Sequence, residues 1–498
     1  MAGPLISRRA AIAGGLAAAA LPTRALATPP LMVRAPAGTF LGDNPGGVRR
    51  YRGIRYGIAA RFRAPVPIAP ASGPVPALEF GPVSPQQGRR YAPQSEDCLY
   101  LNIWTTAPDA RARRPVMLYI HGGAYSNGSS TDPLNDGQRL AAQGDVVVVT
   151  VNHRLNAFGY LYLARLDPRF PDSGNAGQLD LILALRWVRD NIAAFGGDPN
   201  KVMVFGQSGG GAKIATLMGT PAARGLFHRA ATMSGQQVTA SGPLHATDRA
   251  RAYMARLSAR SADDLLAMPV ERLVEGLAAT DPVLGGGVYM GPVLDMKWLL
   301  RHPFWPDANP QGNAIPMMLG NTHDEARAFY PPDHPRIVGL GWDNIAERIA
   351  PELRVDALPE WVVAEYRRLF PAYTPAQVFY GAVTAGRSWR GQVIEAEERA
   401  RAGVPGFVYQ LNYPAPAAHA SDIPLVFGTY ADPAARPVSE AMMAAFLRFA
   451  RTGDPGWAPY TLPARRTMIF DAHPHMESDP RRAERELFAR IPYIQPGT

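Results

Sequence analysis

Ser208 is the residue whose surroundings could do chemistry most directly. It sits in Gly206-Gln207-Ser208-Gly209-Gly210, a G-x-S-x-G pattern, with Val202-Met203-Val204-Phe205 before it and a helix expected near Gly211 after it. A lone G-x-S-x-G is often only a loop. Between a strand and a helix it becomes a sharp turn that projects the serine hydroxyl, with glycines allowing close backbone approach. The helix amides that follow point at the same spot and can stabilise an anion. A serine that attacks a carbonyl also needs donors for the oxyanion. His121-Gly122-Gly123-Ala124 follows a short apolar run upstream, so Gly123 and Ala124 are expected to donate there together with Gly209, the residue after the nucleophile. Standing alone, the glycine pair would read as a plain turn. A serine hydroxyl needs a base, and histidine titrates in the right range. Ten histidines are available, and on residue type alone His419 is one of several candidates. His473 and His475 look at first like a metal pair; with no further ligands clustered around them, they read as surface loop.

The elements that must position these groups follow from hydrophobic period. Residues 99–104 alternate like a strand, 115–120 form a short apolar run, and 145–152 contain four consecutive valines, Val146 to Val149, typical of a buried parallel strand. Residues 179–195 carry Leu181, Ala184, Leu185, Val188 and Ile192 at helical spacing. Residues 201–206 read as a strand and 212–218 as a helix. Alternating strands and helices argue for an α/β architecture with a mostly parallel central sheet and helices on both faces. The Pro-rich stretch 61–85 reads as an extended surface wrap. Residues 247–277 read as mostly helical, placed to cover the sheet.

Composition narrows the function classes. The chain has 498 residues, 47% hydrophobic and 19% charged, enough for a large core and too apolar for disorder. Its 48 Gly and 49 Pro are aperiodic, which excludes collagen and suggests long loops. Past the N-terminus no run of 18 apolar residues occurs, so no internal membrane-spanning helix is expected. Cys98 is the one cysteine; an intramolecular disulfide and a thiolate-rich zinc site are both excluded. The formal charge is +9, nearly all from arginine. Without a block of like charges, this reads as a basic surface rather than a nucleic-acid tail.

Longer motifs carry a family resemblance. Phe195 to Lys201, leading into Val202–Gly210, is similar to the active-site signature of type-B carboxylesterases, the cholinesterase-like branch of the α/β-hydrolase fold. Glu96-Asp97-Cys98-Leu99-Tyr100-Leu101-Asn102-Ile103-Trp104 resembles their second signature, and Val151 to Leu155 and Gly291 to Asp295 resemble further family blocks. The resemblance implies an α/β-hydrolase domain over residues 28–498 with long insertions. It also implies a Ser–Glu–His triad made of Ser208, Glu325 and His419, with Ser234 supporting the acid and Asp422 in a structural role. Ester hydrolysis through an acyl-enzyme would follow, on a small-molecule ester and with no metal or organic cofactor. The same triad could act on polycarboxylate side-chain esters of fungal toxins, or on amides and carbamates. A binding module without catalysis is disfavoured by the three triad residues being present. Two departures stand out. Cys98 lacks the disulfide partner of the animal members, so its loop must hold by packing. Gln207 stands where the family often has Glu, which removes one buried charge and predicts a reorganised local network.

The first 27 residues read as an export signal. Ser7-Arg8-Arg9 precedes a short apolar stretch, and Ala25-Leu26-Ala27 fits a small-residue cleavage site. The paired arginines resemble a twin-arginine signal, although Ala11 replaces its usual Phe. Its removal takes away three arginines and no acid, leaving 48 basic against 42 acidic residues, or +6. The expected location is the periplasm or the medium. N-terminal sequencing of protein from the native cell envelope should therefore find Thr28 first; retention of Arg8 and Arg9 would overturn the reading.

Overall fold

Valine-rich and aromatic runs pair into a ten-stranded sheet. The computed structural model describes residues 31–493, so the expected signal segment lies outside the described residues. In chain order the strands are β1 (Arg49–Arg55), β2 (Tyr100–Thr105), β3 (Arg114–Ile120), β4 (Val147–Val151), β5 (Gly197–Gln207), β6 (Arg229–Met233), β7 (Met317–Thr322), β8 (Gly406–Leu411), β9 (Arg466–Phe470) and β10 (His475–Ser478). Their order across the sheet is β10-β9-β8-β7-β6-β5-β3-β4-β2-β1. Pairings from β9 through β4 are all parallel; the two edges are antiparallel. Parallel order sends the C-terminal ends of β3, β5, β6, β7 and β8 to one edge, where ligand sites of such sheets form.

Alternate side chains build a core on each face. Val116, Leu118, Val149, Val202 and Val204 pack with Leu181, Leu185 and Val188 of the helix Ala176–Asn191 and with Ile214 and Leu217 of the helix Gly209–Met218. Met117, Tyr119, Val148, Met203 and Phe205 pack oppositely, against Met442, Phe446 and Phe449 of the helix Arg436–Thr452. Both faces are thus covered. The alternation read at 99–104 consequently does not divide buried from exposed: residues 101 to 105 of β2 are all buried.

Two expectations shift. The helix after Ser208 starts at Gly209, earlier than Gly211, because the strand runs straight into the turn. Helices Pro243–Arg256, Ala262–Ala267 and Val270–Glu275 form as expected but do not cover the sheet. Their Tyr253, Leu265 and Leu273 build a separate core with Phe62, Tyr125, Phe158 and Tyr160. A second helical cluster, including Tyr366, Phe379 and Val383, lies over residues 326–393 and 487–491. The described residues nevertheless cluster as one compact unit.

Buried charges tie the connections down. Arg154, after β4, donates from its backbone and guanidinium to Asp180 at 2.7–2.9 Å, both side chains being almost wholly buried. Breaking one member of such a pair strands the other charge. The Cys98 loop packs as expected: the thiol is free, fully buried, and pushed up by burial. Arg61 clamps the same loop, donating to Glu96 at 2.9 Å and to the carbonyls of Leu265 and Met268 at 2.9 and 2.8 Å.

Glu395, on the helix Arg390–Arg401, carries the opposite electrostatics. Its carboxyl is fully buried, accepts one bond of 2.7 Å from the Gln237 amide, and is pushed up to about 8 by burial. Arg399 directs its guanidinium to the carbonyls of Gly312, Ile315 and Pro405 instead. An unfolded glutamate ionises near 4.5, so between that pH and about 8 the unfolded chain binds fewer protons and stability falls with rising pH. Glu395→Gln keeps the acceptor and removes the titration. Its advantage in unfolding free energy over the wild type, read from denaturant unfolding, should widen from pH 5 to pH 8 by on the order of a few kcal/mol. A gap that does not change with pH would contradict the buried, neutral carboxyl.

Candidate active site

Where β5 ends, Ser208 adopts φ +54° and ψ −125° as the N-cap of the helix Gly209–Met218. Such a conformation costs a non-glycine residue about 1–3 kcal/mol and persists only when its surroundings over-determine it. Here they do. The Ser208 amide donates to Met233 O at 2.7 Å, and its carbonyl accepts from Ala212 at 3.1 Å. A Cβ on Gly210 would come within 1.9 Å of Ile120 O, and one on Gly209 within 2.0 Å of Ala124 O. The turn is therefore wedged against β3 and the loop that follows it.

The loop after β3 brings Gly123 and Ala124 beside this turn, with φ of +90° and +52°. Their amides donate no hydrogen bond among the described residues, and Ala124 is exposed. The Gly123 carbonyl accepts from Ser126 and Asn127 at 3.1 and 3.0 Å. His121 is buried, its Nδ1 2.9 Å from Gly122 O and its ring stacked on His153 with centroids 4.7 Å apart. Burial, and then the Lys213 charge, lower it to about 3, so it is neutral and shapes the loop.

Glu325 and His419, 94 residues apart in sequence, meet at the ends of β7 and β8 through a short Oε2–Nδ1 contact. Two backbone bonds of 2.9 Å, His323 to Leu411 O and Asp324 to Ala417 O, hold the segments together. The other Glu325 oxygen accepts from the Thr322 amide at 2.9 Å and Asn321 Nδ2 at 3.0 Å. Burial pushes this carboxyl up, but His419, Ser234 and Asn321 outweigh it and hold it below the ordinary glutamate value. Asp324 turns away to His323 and Arg327. Ser234 Oγ is buried without a hydrogen-bond partner of its own, although it faces the carboxyl closely enough to help lower it. Asp422 is fully buried, accepts from Tyr409 at 3.0 Å, and is raised to about 7 by burial and then by the Glu325 charge. Among the described residues no group of His, Cys, Asp and Glu could hold a metal ion; His475 instead pairs with Glu477 at 3.0 Å on an exposed strand.

Residues 29–487 match the family model described as "Carboxylesterase family". The chain belongs to the carboxylesterase family. It is a carboxylic ester hydrolase on the α/β-hydrolase fold. The para-nitrobenzyl esterase of Bacillus subtilis is 32% identical over 496 residues, covering 90% of this chain and 96% of that one. The fumonisin B1 esterase of Sphingopyxis macrogoltabida is 34% identical over 331 residues, 63% and 60% of the two chains. The solved Geobacillus stearothermophilus carboxylesterase EST55 superposes with a TM-score of 0.83 at 34% identity, covering 91% of this chain and 99% of that one.

Two further side chains, Gln207 and Lys213, meet this edge of the sheet. His419 Nε2 lies 3.0 Å from Gln207 Nε2. With the Nδ1 proton facing Glu325, Nε2 is an acceptor, so the Gln207 amide donates to it. Gln207 thus joins the network around the histidine. Lys213, one turn into the serine helix, is fully buried and donates to Ala124 O at 2.6 Å. Backbone crowding at the turn is directly testable. Gly210→Ala should lower stability by about 3 kcal/mol or more through overpacking, read as a drop in Tm. Gly73→Ala, with nothing within 4 Å, should change it little. A Gly210→Ala protein as stable as the wild type would refute the wedge.

Proposed function

We propose that this chain hydrolyses carboxylic esters with Ser208 as nucleophile, His419 as general base and acid, and Glu325 as the buried carboxylate that orients it. The observation that carries the reading is the Glu325–His419 contact at the sheet edge where Ser208 turns. With its Nδ1–H bound to a carboxylate, the imidazole presents Nε2 as a base in one tautomer. In the first step Ser208 Oγ bonds to the ester carbonyl carbon while its proton passes to Nε2, which the Gln207 amide must release. The carbonyl oxygen gains the negative charge, supported by the amides of Gly123, Ala124 and Gly209. Collapse breaks the carbon–oxygen bond, and the alcohol leaves with the His419 proton. Water, deprotonated by the same nitrogen, then releases the acid and regenerates Ser208. Ser234 supports the acid, and Asp422 with Tyr409 has a structural role.

The neighbouring acids make the assignment sharp. Glu325 is held in its charged form and touches the imidazole, whereas Asp324 pairs with His323 at 3.0 Å. Ser208→Ala should lower kcat for a p-nitrophenyl ester by about 10⁴-fold or more with the fold retained. A fluorophosphonate should label Ser208 in the wild type; labelling of Ser234 would mean that the nucleophile is misassigned. Glu325→Gln should be severely impaired and Asp324→Asn only mildly. The reverse order would unseat Glu325 as the acid.

A further inference from the structure

Lys213 has no place in the acyl-transfer scheme, yet it is a fully buried cation beside it. Its side chain projects from the serine helix, is fully buried, and has no carboxylate within ion-pair distance among the described residues. Instead Nζ donates to Ala124 O at 2.6 Å and lies 4.9 Å from the Tyr125 ring centroid. A cation over an aromatic face and against a carbonyl is partly compensated, but a methionine would fill the space without the desolvation cost. The carbonyl it grips is the one that abuts Gly209. Lys213 therefore joins both halves of the donor set, the loop carrying Ala124 and the helix carrying Gly209.

We propose that Lys213 is a positioning residue for ester hydrolysis: its ammonium pins the Ala124 carbonyl to the serine helix, fixes the oxyanion-loop amides, and adds positive charge behind the developing oxyanion. This rests on Ser208 being the nucleophile. Elsewhere the loop is held by the Gly123 carbonyl, which accepts from Ser126 and Asn127, by the Tyr125 and Ser126 carbonyls, which accept from the Asn156 amide at 2.6 Å and its Nδ2 at 3.1 Å, and by the Tyr125 hydroxyl, which donates to Gln237 at 2.8 Å. None of these bonds is to Ala124. Preorganised dipoles are effective because they need not reorganise during reaction.

The charge is also poised to titrate. Burial alone lowers Lys213 to about 7. The groups facing it are His121 and His153, both kept neutral chiefly by burial, and Tyr125, whose hydroxyl burial holds protonated. Farther off, through Gln237, stands Glu395, raised to about 8. As pH rises through the lysine transition the ammonium is lost, the tether weakens, and oxyanion stabilisation falls; the sign is an alkaline loss of activity.

The test compares wild type with Lys213→Met, using a neutral p-nitrophenyl ester and an aryl trifluoromethyl ketone, which forms a tetrahedral adduct on the serine. Lys213→Met is expected to lower kcat about tenfold with KM within about twofold, less than the 10²–10³-fold loss of an oxyanion donor itself. Ketone affinity should fall by a similar factor, and the alkaline limb should disappear. Glu395→Gln should retain that limb. A folded Lys213→Met protein with kcat and ketone affinity within twofold of wild type would overturn the proposal, as would one that loses activity but keeps the alkaline limb. If the variant does not fold, the wild-type ketone affinity decides: it should weaken between pH 6 and 9, and a flat profile would refute the role. Fluorophosphonate labelling of wild type away from Ser208 would sink the nucleophile assignment instead, a separate failure.

Discussion

Everything at the active edge depends on main chains approaching more closely than any side chain allows. Ile120 O sits where a Gly210 Cβ would be, Ala124 O where a Gly209 Cβ would be, and Ser208 O where a Gly235 Cβ would be. Three connections, after β3, β5 and β6, are thereby stacked backbone on backbone. Ser208 cannot relax from its left-handed conformation because its neighbours occupy the alternatives. The positions of the Ser208 hydroxyl and of the Gly123, Ala124 and Gly209 amides are set by the same contacts, so these groups form one rigid object rather than two loops that happen to meet.

Electrostatics sorts the buried carboxyls around that object. Glu325 and Asp422 are both fully buried, and burial raises both. Glu325 alone has an imidazole and two amide donors, which drive it to the charged form; Asp422 then meets that charge and is raised. Neighbouring carboxyls with opposed environments are how one fold separates charge-bearing from proton-bearing roles. Glu325 keeps a full charge against His419, while Asp422 with Tyr409 supports the segment that carries the histidine.

Much of this was legible in sequence, for physical reasons that differ by residue. Ser208 and the Gly122-Gly123 pair could be read because close backbone approach demands glycine at fixed spacing. The valines of β4 could be read because a strand covered on both faces needs no polar residue. Glu325 and His419 needed the family resemblance, since their meeting is created by the parallel register of β7 and β8, which no local pattern encodes. Lys213 on an otherwise apolar helix gave no signal of its acceptor, because Ala124 O reaches it only through the tertiary crossing. The helices of residues 243–275 were legible as helices but not in their placement: their apolar stripe fits any apolar partner, and the partner here is Phe62, Tyr125 and Phe158 rather than the sheet.

The Arg61 clamp gives the signature loop a particular kind of fastening. Where Cys98 is alone, the guanidinium gathers Glu96 and the carbonyls of Leu265 and Met268 into one knot. A covalent crosslink would need an oxidant to close and would be open to thiol exchange afterwards. The arginine knot ties itself as the chain folds and is indifferent to redox potential. Its strength answers to ionic strength instead, so salt, rather than a reductant, is the agent that loosens this corner of the molecule.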